Sequence, residues 1–286
     1  MIASGVLLLL FVAYQLWGTA LVHWQGQQDL RNRFDRALAE ARATHHGSSR
    51  VPIRYPAVGD PVAIIAIPTI GLDQVVVEGV GTAQLAVGPG HYPGTALPGQ
   101  PGNSGIAGHR TTHGAPFNAL AELVPGDQVV LTTLQGTFRY RVTRSLVVAP
   151  DDIAVLRPTA TPQLTLTTCN PKYSATERLV VEARLTTPPA PATPVPSAQP
   201  AVGTVAGADP LDSTGTWIVL FASSLGLVAL VVVVGRLGRR AASTGTRRSR
   251  RVRRTTRWVT VTAVPVGLAL LFIAFGALDT LLPQSF

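Results

Sequence analysis

Between residues 61 and 185 short apolar runs alternate with turn residues every few positions, the pattern of a β-rich domain. Seven runs read as strands: 62–67, 74–78, 104–108, 128–133, 138–148, 163–168 and 178–185. Pro68, Gly71, Pro98-Gly99, Pro125-Gly126-Asp127 and Pro150-Asp151-Asp152 separate them. Only 115–123 reads as a short helix. Closely spaced strands over this length predict a mainly β fold, a closed or nearly closed barrel around one core.

The pattern changes on both sides of that block. In 27–43, Leu30, Phe34, Leu38 and Ala41 recur at helical spacing among charged residues, which predicts an amphipathic helix standing as a stalk. After the last strand, 186–216 holds seven prolines and no hydrophobic period, the mark of a semi-extended tether. Stretches 2–22, 217–234 and 258–278 are apolar and each near the ~20 residues that cross a bilayer as a helix. The expected organisation is a transmembrane anchor at 1–24, a juxtamembrane helix and linker at 25–58, a β-barrel at 59–186 and a Pro-rich linker at 187–216. A second span at 217–235, a basic loop at 236–257 and a third span at 258–279 complete it. The first stretch lacks a basic start and a convincing small-residue cleavage site, so it reads as an uncleaved anchor rather than a signal peptide. The same lack of basic residues leaves open a start codon further upstream.

Composition agrees with material outside a globular core: only 14% of the 286 residues are charged, against about 25% in soluble domains. The net charge of +9 is local. Ten of the 24 basic residues are arginines between 236 and 257, and without them 14 basic residues meet 15 acidic ones. The basic block reads as a positive-inside signal and a patch for anionic membrane lipid, which places 25–216 outside the cell. Nucleic acid is not expected as a partner, because no recognition motif or interleaved aromatics accompany the arginines.

Against that background Cys169, the one cysteine, stands out. It ends a strand-like run and precedes Asn170-Pro171, and without a second thiol in the chain its sulfur is either packing or chemistry. Strand alternation puts Leu164, Leu166 and Thr168 on one face and Thr165, Thr167 and Cys169 on the other. By the same rule Arg178 and His109 leave the apolar faces of their own runs. If those three strands are neighbours, a thiol, an imidazole and a guanidinium line one groove: nucleophile, proton carrier and oxyanion donor. Of the other histidines, His91 lies among Gly, Pro and Tyr, and His113 lies in a loop beyond two threonines, so both read as ordinary loop residues. His45-His46 and Asp151-Asp152 offer too few ligands for a metal, and neither a metal nor a cofactor is expected.

The run Thr165-Leu166-Thr167-Thr168-Cys169, with Arg178 nine residues on and Gly108-His109-Arg110 upstream, resembles the sortases, membrane-anchored cysteine transpeptidases of Gram-positive bacteria. The likeness spans the whole expected barrel. It implies an eight-stranded β-barrel, with Cys169 as nucleophile, His109 as general acid/base and Arg178 as stabiliser of the substrate carbonyl or oxyanion. Within the family, Gly90-His91-Tyr92-Pro93-Gly94-Thr95-Ala96-Leu97-Pro98-Gly99 and Ala107-Gly108-His109-Arg110-Thr111-Thr112 look most like class E members of high-GC actinobacteria. Those cut a Leu-Ala-x-Thr-Gly sorting signal between Thr and Gly. The resemblance implies Tyr92 as the groove tyrosine that favours Ala at the second signal position, with Thr167 and Thr168 beside it in substrate binding. The two spans after the barrel depart from the simplest family pattern, although pilus-building class C members also carry a C-terminal span.

The expected function is therefore an extracellular, membrane-held transpeptidase. Its partners are surface proteins bearing a sorting signal and an amine of the cell-wall precursor as acceptor. Three alternatives stay open: a pilin polymerase that uses a lysine acceptor, a peptidase that hydrolyses the thioester, and a non-catalytic β-domain that binds the wall.

Overall fold

The computed structural model describes residues 19–44, 53–195, 267 and 270–275. Residues 270–275 are helical and belong to a unit separate from the barrel. The apolar stretches 2–22, 217–234 and 258–278, the basic loop 236–257 and His45-His46 fall wholly or largely outside the described residues. Among the described residues no helix is long and apolar enough to cross a membrane.

Eight strands close into a barrel. They are β1 (Pro61–Ile67), β2 (Leu72–Glu78), β3 (Gly90–His91), β4 (Asn103–Ala107), β5 (Gln128–Thr133), β6 (Gly136–Val148), β7 (Gln163–Asn170) and β8 (Glu177–Leu185). Their order around the barrel is β1-β2-β3-β4-β7-β8-β6-β5, and β5 pairs back onto β1. Most pairs are antiparallel; β2–β3 and β4–β7 are parallel. Leu164 and Leu166 lie in the core as alternation predicts, together with Ile65, Ile67, Ile106, Leu131, Tyr140, Val181 and Ala183, all buried there.

Three elements differ from expectation for local reasons. β3 is two residues long, too short to show a period of two. Helix α2 (Thr82–Val87) is six residues long and buries only Leu85, so it carries no readable stripe. The helix expected at 115–123 is instead a chain of turns ending in one 3-10 turn, Leu120–Glu122, because Ala115 sits at φ 45, outside the helical region.

The amphipathic helix α1 (Thr19–Thr44) exists, but it is no free stalk. Leu30 and Phe34, with Leu38 beside them, pack on Val75 and Val77 of β2, because a stripe of that width must find cover. β3 pairs only with Val77 and Glu78 of β2, and the Gln27 side chain takes the place of a strand neighbour at Val75. Its amide donates to Val75 O at 2.9 Å, and its Oε1 accepts from Val75 N at 2.7 Å. The start of the Pro-rich segment is also held. Ala190 N donates to Gly99 O at 2.7 Å, and Gln100 bonds both the hydroxyl (2.8 Å) and the backbone N–H (2.9 Å) of Thr193.

Candidate active site

The groove is built on three adjacent strands, β4, β7 and β8. Sequence alone does not make them neighbours, since β4 and β7 lie far apart in the chain. Their parallel ladder runs from Asn103↔Gln163 to Ala107↔Thr167. Two further bonds extend it: Gly108 N donates to Thr167 O at 3.1 Å, and the Thr168 hydroxyl donates to Gly108 O at 2.7 Å. His109 therefore emerges at the level of Cys169. On the other side of β7, Cys169 lies directly opposite Arg178 in the antiparallel ladder with β8. The structure thus brings Cys169, His109 and Arg178 to one end of three neighbouring strands, with the sulfur on the face away from Leu164 and Leu166.

Each of the three is tightly seated. His109 is 4% exposed, and its ring stacks on His113 with centroids 4.8 Å apart and planes 23° apart. The loop that carries both rings is anchored by Phe117, fully buried, whose N–H donates to His109 O at 3.0 Å. Arg178 Nη1 donates to Ala175 O and Glu177 O, both at 3.1 Å, which steadies a half-buried guanidinium at the start of β8. Cys169 is 8% exposed. Burial pushes its thiol above the ordinary value, while Arg178 and then Arg110 pull the other way without cancelling it. The sulfur is mainly a thiol at neutral pH, so a nucleophilic role requires a partner that takes its proton.

Arg110 had no role in the sequence reading, although it belongs to the Gly108-His109-Arg110 motif. Its Nη1 donates to Cys169 O and to Asn170 Oδ1, both at 2.8 Å, and Asn118 Nδ2 donates to Arg110 O at 2.9 Å. Asn170 Nδ2 in turn donates to Glu177 Oε2 at 2.7 Å. The end of β7 is clamped from both sides. The signal was a cation next to the candidate base, but only the fold reveals that it points at the cysteine backbone.

Along the groove, the Tyr92 hydroxyl shares a hydrogen bond with Thr167 Oγ1 at 3.0 Å, and Tyr92 N donates to Gly105 O at 3.0 Å. Burial raises the Tyr92 phenol; Thr167 and Arg178 lower it in part. A Cβ on Gly105 would stand 2.7 Å from Leu156 and 2.9 Å from Tyr92, so glycine is what lets these two side chains close over β4. Leu156 ends the 3-10 turn Ile153–Leu156, which Asn103 holds by donating to Val155 O (2.9 Å) and Arg157 O (3.2 Å). Beyond it a cavity of about 430 Å³ lies between Thr95, Ala96, Ile153, Leu156, Thr193 and Val195. Thr168, expected beside Tyr92 in the groove, instead leaves β7 on the face opposite Cys169, where its hydroxyl is committed to Gly108 O and ties β4 to β7.

Of the histidines set aside, His91 is wholly buried with its Nδ1 2.7 Å from Glu78 Oε2, and Glu78 is wholly buried too. Neither residue advertised this pairing, because Glu78 alone resembles a polar end to an apolar run and His91 a loop residue among Gly, Pro and Tyr. Among the described residues no group of three or more His, Cys, Asp or Glu is placed to hold a metal ion. Chemically, a thiol beside an imidazole and a guanidinium suits addition to an acyl carbon followed by expulsion of an amine.

Residues 65–186 match the sortase domain model. The chain is 34% identical over 197 residues to Sortase SrtE1 of Streptomyces coelicolor, covering 63% of this chain and 53% of that protein. It is 33% identical over 117 residues to Sortase D of Bacillus subtilis, covering 41% and 58%. The chain thus spans little more than half the length of these curated relatives. Among solved structures, sortase E from Streptomyces avermitilis is 37% identical, with 52% of this chain and 99% of that one covered at a TM-score of 0.42.

Proposed function

The chain belongs to the sortase family, and from that premise we propose that its barrel is a class E-type cysteine transpeptidase acting on C-terminal sorting signals of surface proteins. Cys169 Sγ gives up its proton to His109 and attacks the carbonyl of the Thr-Gly bond. The tetrahedral oxyanion forms beside Arg178. Collapse breaks the C–N bond, the departing glycine amine takes the proton from His109, and the threonine acyl group remains as a thioester on Cys169. An amine of the cell-wall precursor then attacks the thioester, gives its proton to His109 and frees the thiol. Tyr92 and Thr167 line the signal's path, with Tyr92 facing the second signal residue, and Thr168 backs it from the opposite face of β7 through its bond to Gly108 O.

The observation that carries this reading is the meeting of strand ends: Cys169 opposite Arg178, with Gly108-His109 bonded alongside Thr167-Thr168. We place the barrel outside the cell, held by the apolar stretches at 2–22, 217–234 and 258–278, with the arginines of 236–257 against anionic lipid. Tethering fits the task, because enzyme and membrane-held substrate then share a surface and meet at raised effective concentration. The test is transfer by the full chain in detergent, using a quenched Leu-Ala-x-Thr-Gly peptide and a glycine-based amine. Wild type forms the ligated product and Cys169→Ala forms none; equal turnover by the two would reject the proposal.

A further inference from the structure

Behind the groove, Glu78, His91 and Thr95 form a continuous polar chain, with the Tyr55 hydroxyl beside it donating to Thr95 O at 3.3 Å. Glu78 and His91 are 0% exposed and Thr95 is 4% exposed. Buried polar groups persist when every proton has a place, and here the places can be counted. The Thr95 hydroxyl lies 2.7 Å from Tyr92 O, a carbonyl that can only accept, so its single proton goes there. Thr95 Oγ1 is then an acceptor for its other neighbours, Gly105 N–H at 3.2 Å and His91 Nε2 at 3.0 Å. His91 Nε2 also lies 3.0 Å from Ala96 O, a second pure acceptor. Nε2 must therefore carry a proton.

Glu78 is what keeps it there. At 2.7 Å from Nδ1, the carboxyl either accepts from an imidazolium or donates to a neutral ring, and both arrangements leave Nε2–H in place. The neutral tautomer with its proton on Nδ1 alone would face Thr95 and Ala96 with a lone pair, and the structure has no room for it. The chain ends on Tyr92, whose carbonyl accepts from Thr95 Oγ1 and whose N–H is bound to Gly105 O. With the peptide units on both sides of Tyr92 fixed, its ring reaches Thr167, two residues before Cys169.

We infer that Glu78, His91 and Thr95 are positioning residues that fix the Tyr92 ring in the groove and thereby set which second signal residue the enzyme accepts. This inference rests on the transpeptidase reading. The relay acts on the wall of the site and not on the bonds that break, so its loss appears in selectivity and KM more than in the reactivity of Cys169.

The experiment compares two peptides, with Ala or Pro at the second signal position, on the full chain in detergent. Thr95→Val keeps the shape and cuts the relay at its centre. It is expected to shrink the Ala-to-Pro ratio of kcat/KM by about tenfold, chiefly through KM for the Ala peptide, with iodoacetamide labelling of Cys169 within about twofold of wild type. Glu78→Gln can donate to Nδ1 and preserve Nε2–H, so it stays within about threefold of wild type, whereas Glu78→Leu behaves like Thr95→Val. Should Thr95→Val fail to fold, the two Glu78 variants decide. A wild type indifferent to Ala or Pro, a Thr95→Val ratio unchanged within about twofold, or a Glu78→Gln as impaired as Glu78→Leu would overturn the inference. If wild type cleaves neither peptide, the fault lies with the transpeptidase reading. The relay is then read without substrate, from the ring resonances of ¹³C-tyrosine-labelled protein: a displaced Tyr92 signal in Thr95→Val supports it, and an unmoved one overturns it.

Discussion

Cys169 and Arg178 are cross-strand partners, directly opposite one another one pair in from the hairpin end of the β7–β8 ladder. Residues so placed have Cβ atoms about 5 Å apart, close enough for a guanidinium to act on whatever is bound to the sulfur. Arg178→Ala is therefore expected to lower kcat/KM by about 10²- to 10³-fold, as loss of an oxyanion donor does elsewhere, while the melting temperature stays near wild type. Arg178→Lys should recover only part, since an ammonium lacks the planar fork. Steady-state kinetics on the sorting peptide check this; a loss below about tenfold for the alanine variant would remove Arg178 from the chemistry.

The same pair governs the thiol. Burial raises the Cys169 pKa, and Arg178 and Arg110 hold it down in part, with a net position above the ordinary 9.0. Alkylation by iodoacetamide should thus be slow at neutral pH and climb as pH rises through and beyond 9.0, with the midpoint moved higher still in Arg178→Ala. Mass spectrometry of labelling rates across pH reads this directly, and a midpoint below the ordinary value would contradict it.

What the chain disclosed in advance follows from periodicity. Strands with alternating faces, such as β5 and β8, are visible because side chains repeat every two residues, and the parity of Cys169 against Leu164 and Leu166 was visible for the same reason. The adjacency of β4 and β7 was not, because the parallel pairing joins residues 60 apart, as in the Thr168–Gly108 bond, and no local pattern encodes it. The spacing of Leu30 and Phe34 predicted a helix but read as a stalk, and its packing on β2 is a tertiary contact that no local pattern encodes. Glu78 and His91 were hidden because a buried polar pair is a property of two positions together.

Arg110 supports the end of β7 by bonding Cys169 O and Asn170 Oδ1 through one nitrogen. Arg110→Lys puts a compact ammonium where a rigid guanidinium reached two oxygens, and the cysteine backbone loses part of its clamp. The expected result is a fall in kcat of about tenfold with KM nearly unchanged, together with a lowered melting temperature. Unchanged kcat in a folded variant would show that the clamp has no part in placing the sulfur.

Tyr140 offers a test of the barrel itself. Its hydroxyl accepts from Gly99 N at 2.6 Å inside the core, and burial pushes the phenol up to about 12, with the Gly99 N–H opposing. The folded state holds this proton more tightly than the unfolded chain, whose ordinary value is 10.0. Its contribution to stability is therefore complete below about pH 10 and is lost as pH rises from there through about 12. Tyr140→Phe leaves the Gly99 N–H without its acceptor and should cost about 1–3 kcal/mol at neutral pH by denaturant unfolding. A neutral substitution would mean that Gly99 finds another acceptor.

The central claim is that Cys169 carries the acyl group between donor and acceptor. The full chain, mixed with Leu-Ala-x-Thr-Gly peptide in the absence of an amine and quenched in acid, is expected to gain the mass of the peptide up to its threonine, located to Cys169 by fragmentation and removed by hydroxylamine. Absence of the adduct from a protein that still cleaves the peptide, or its appearance on Cys169→Ala, would contradict the account.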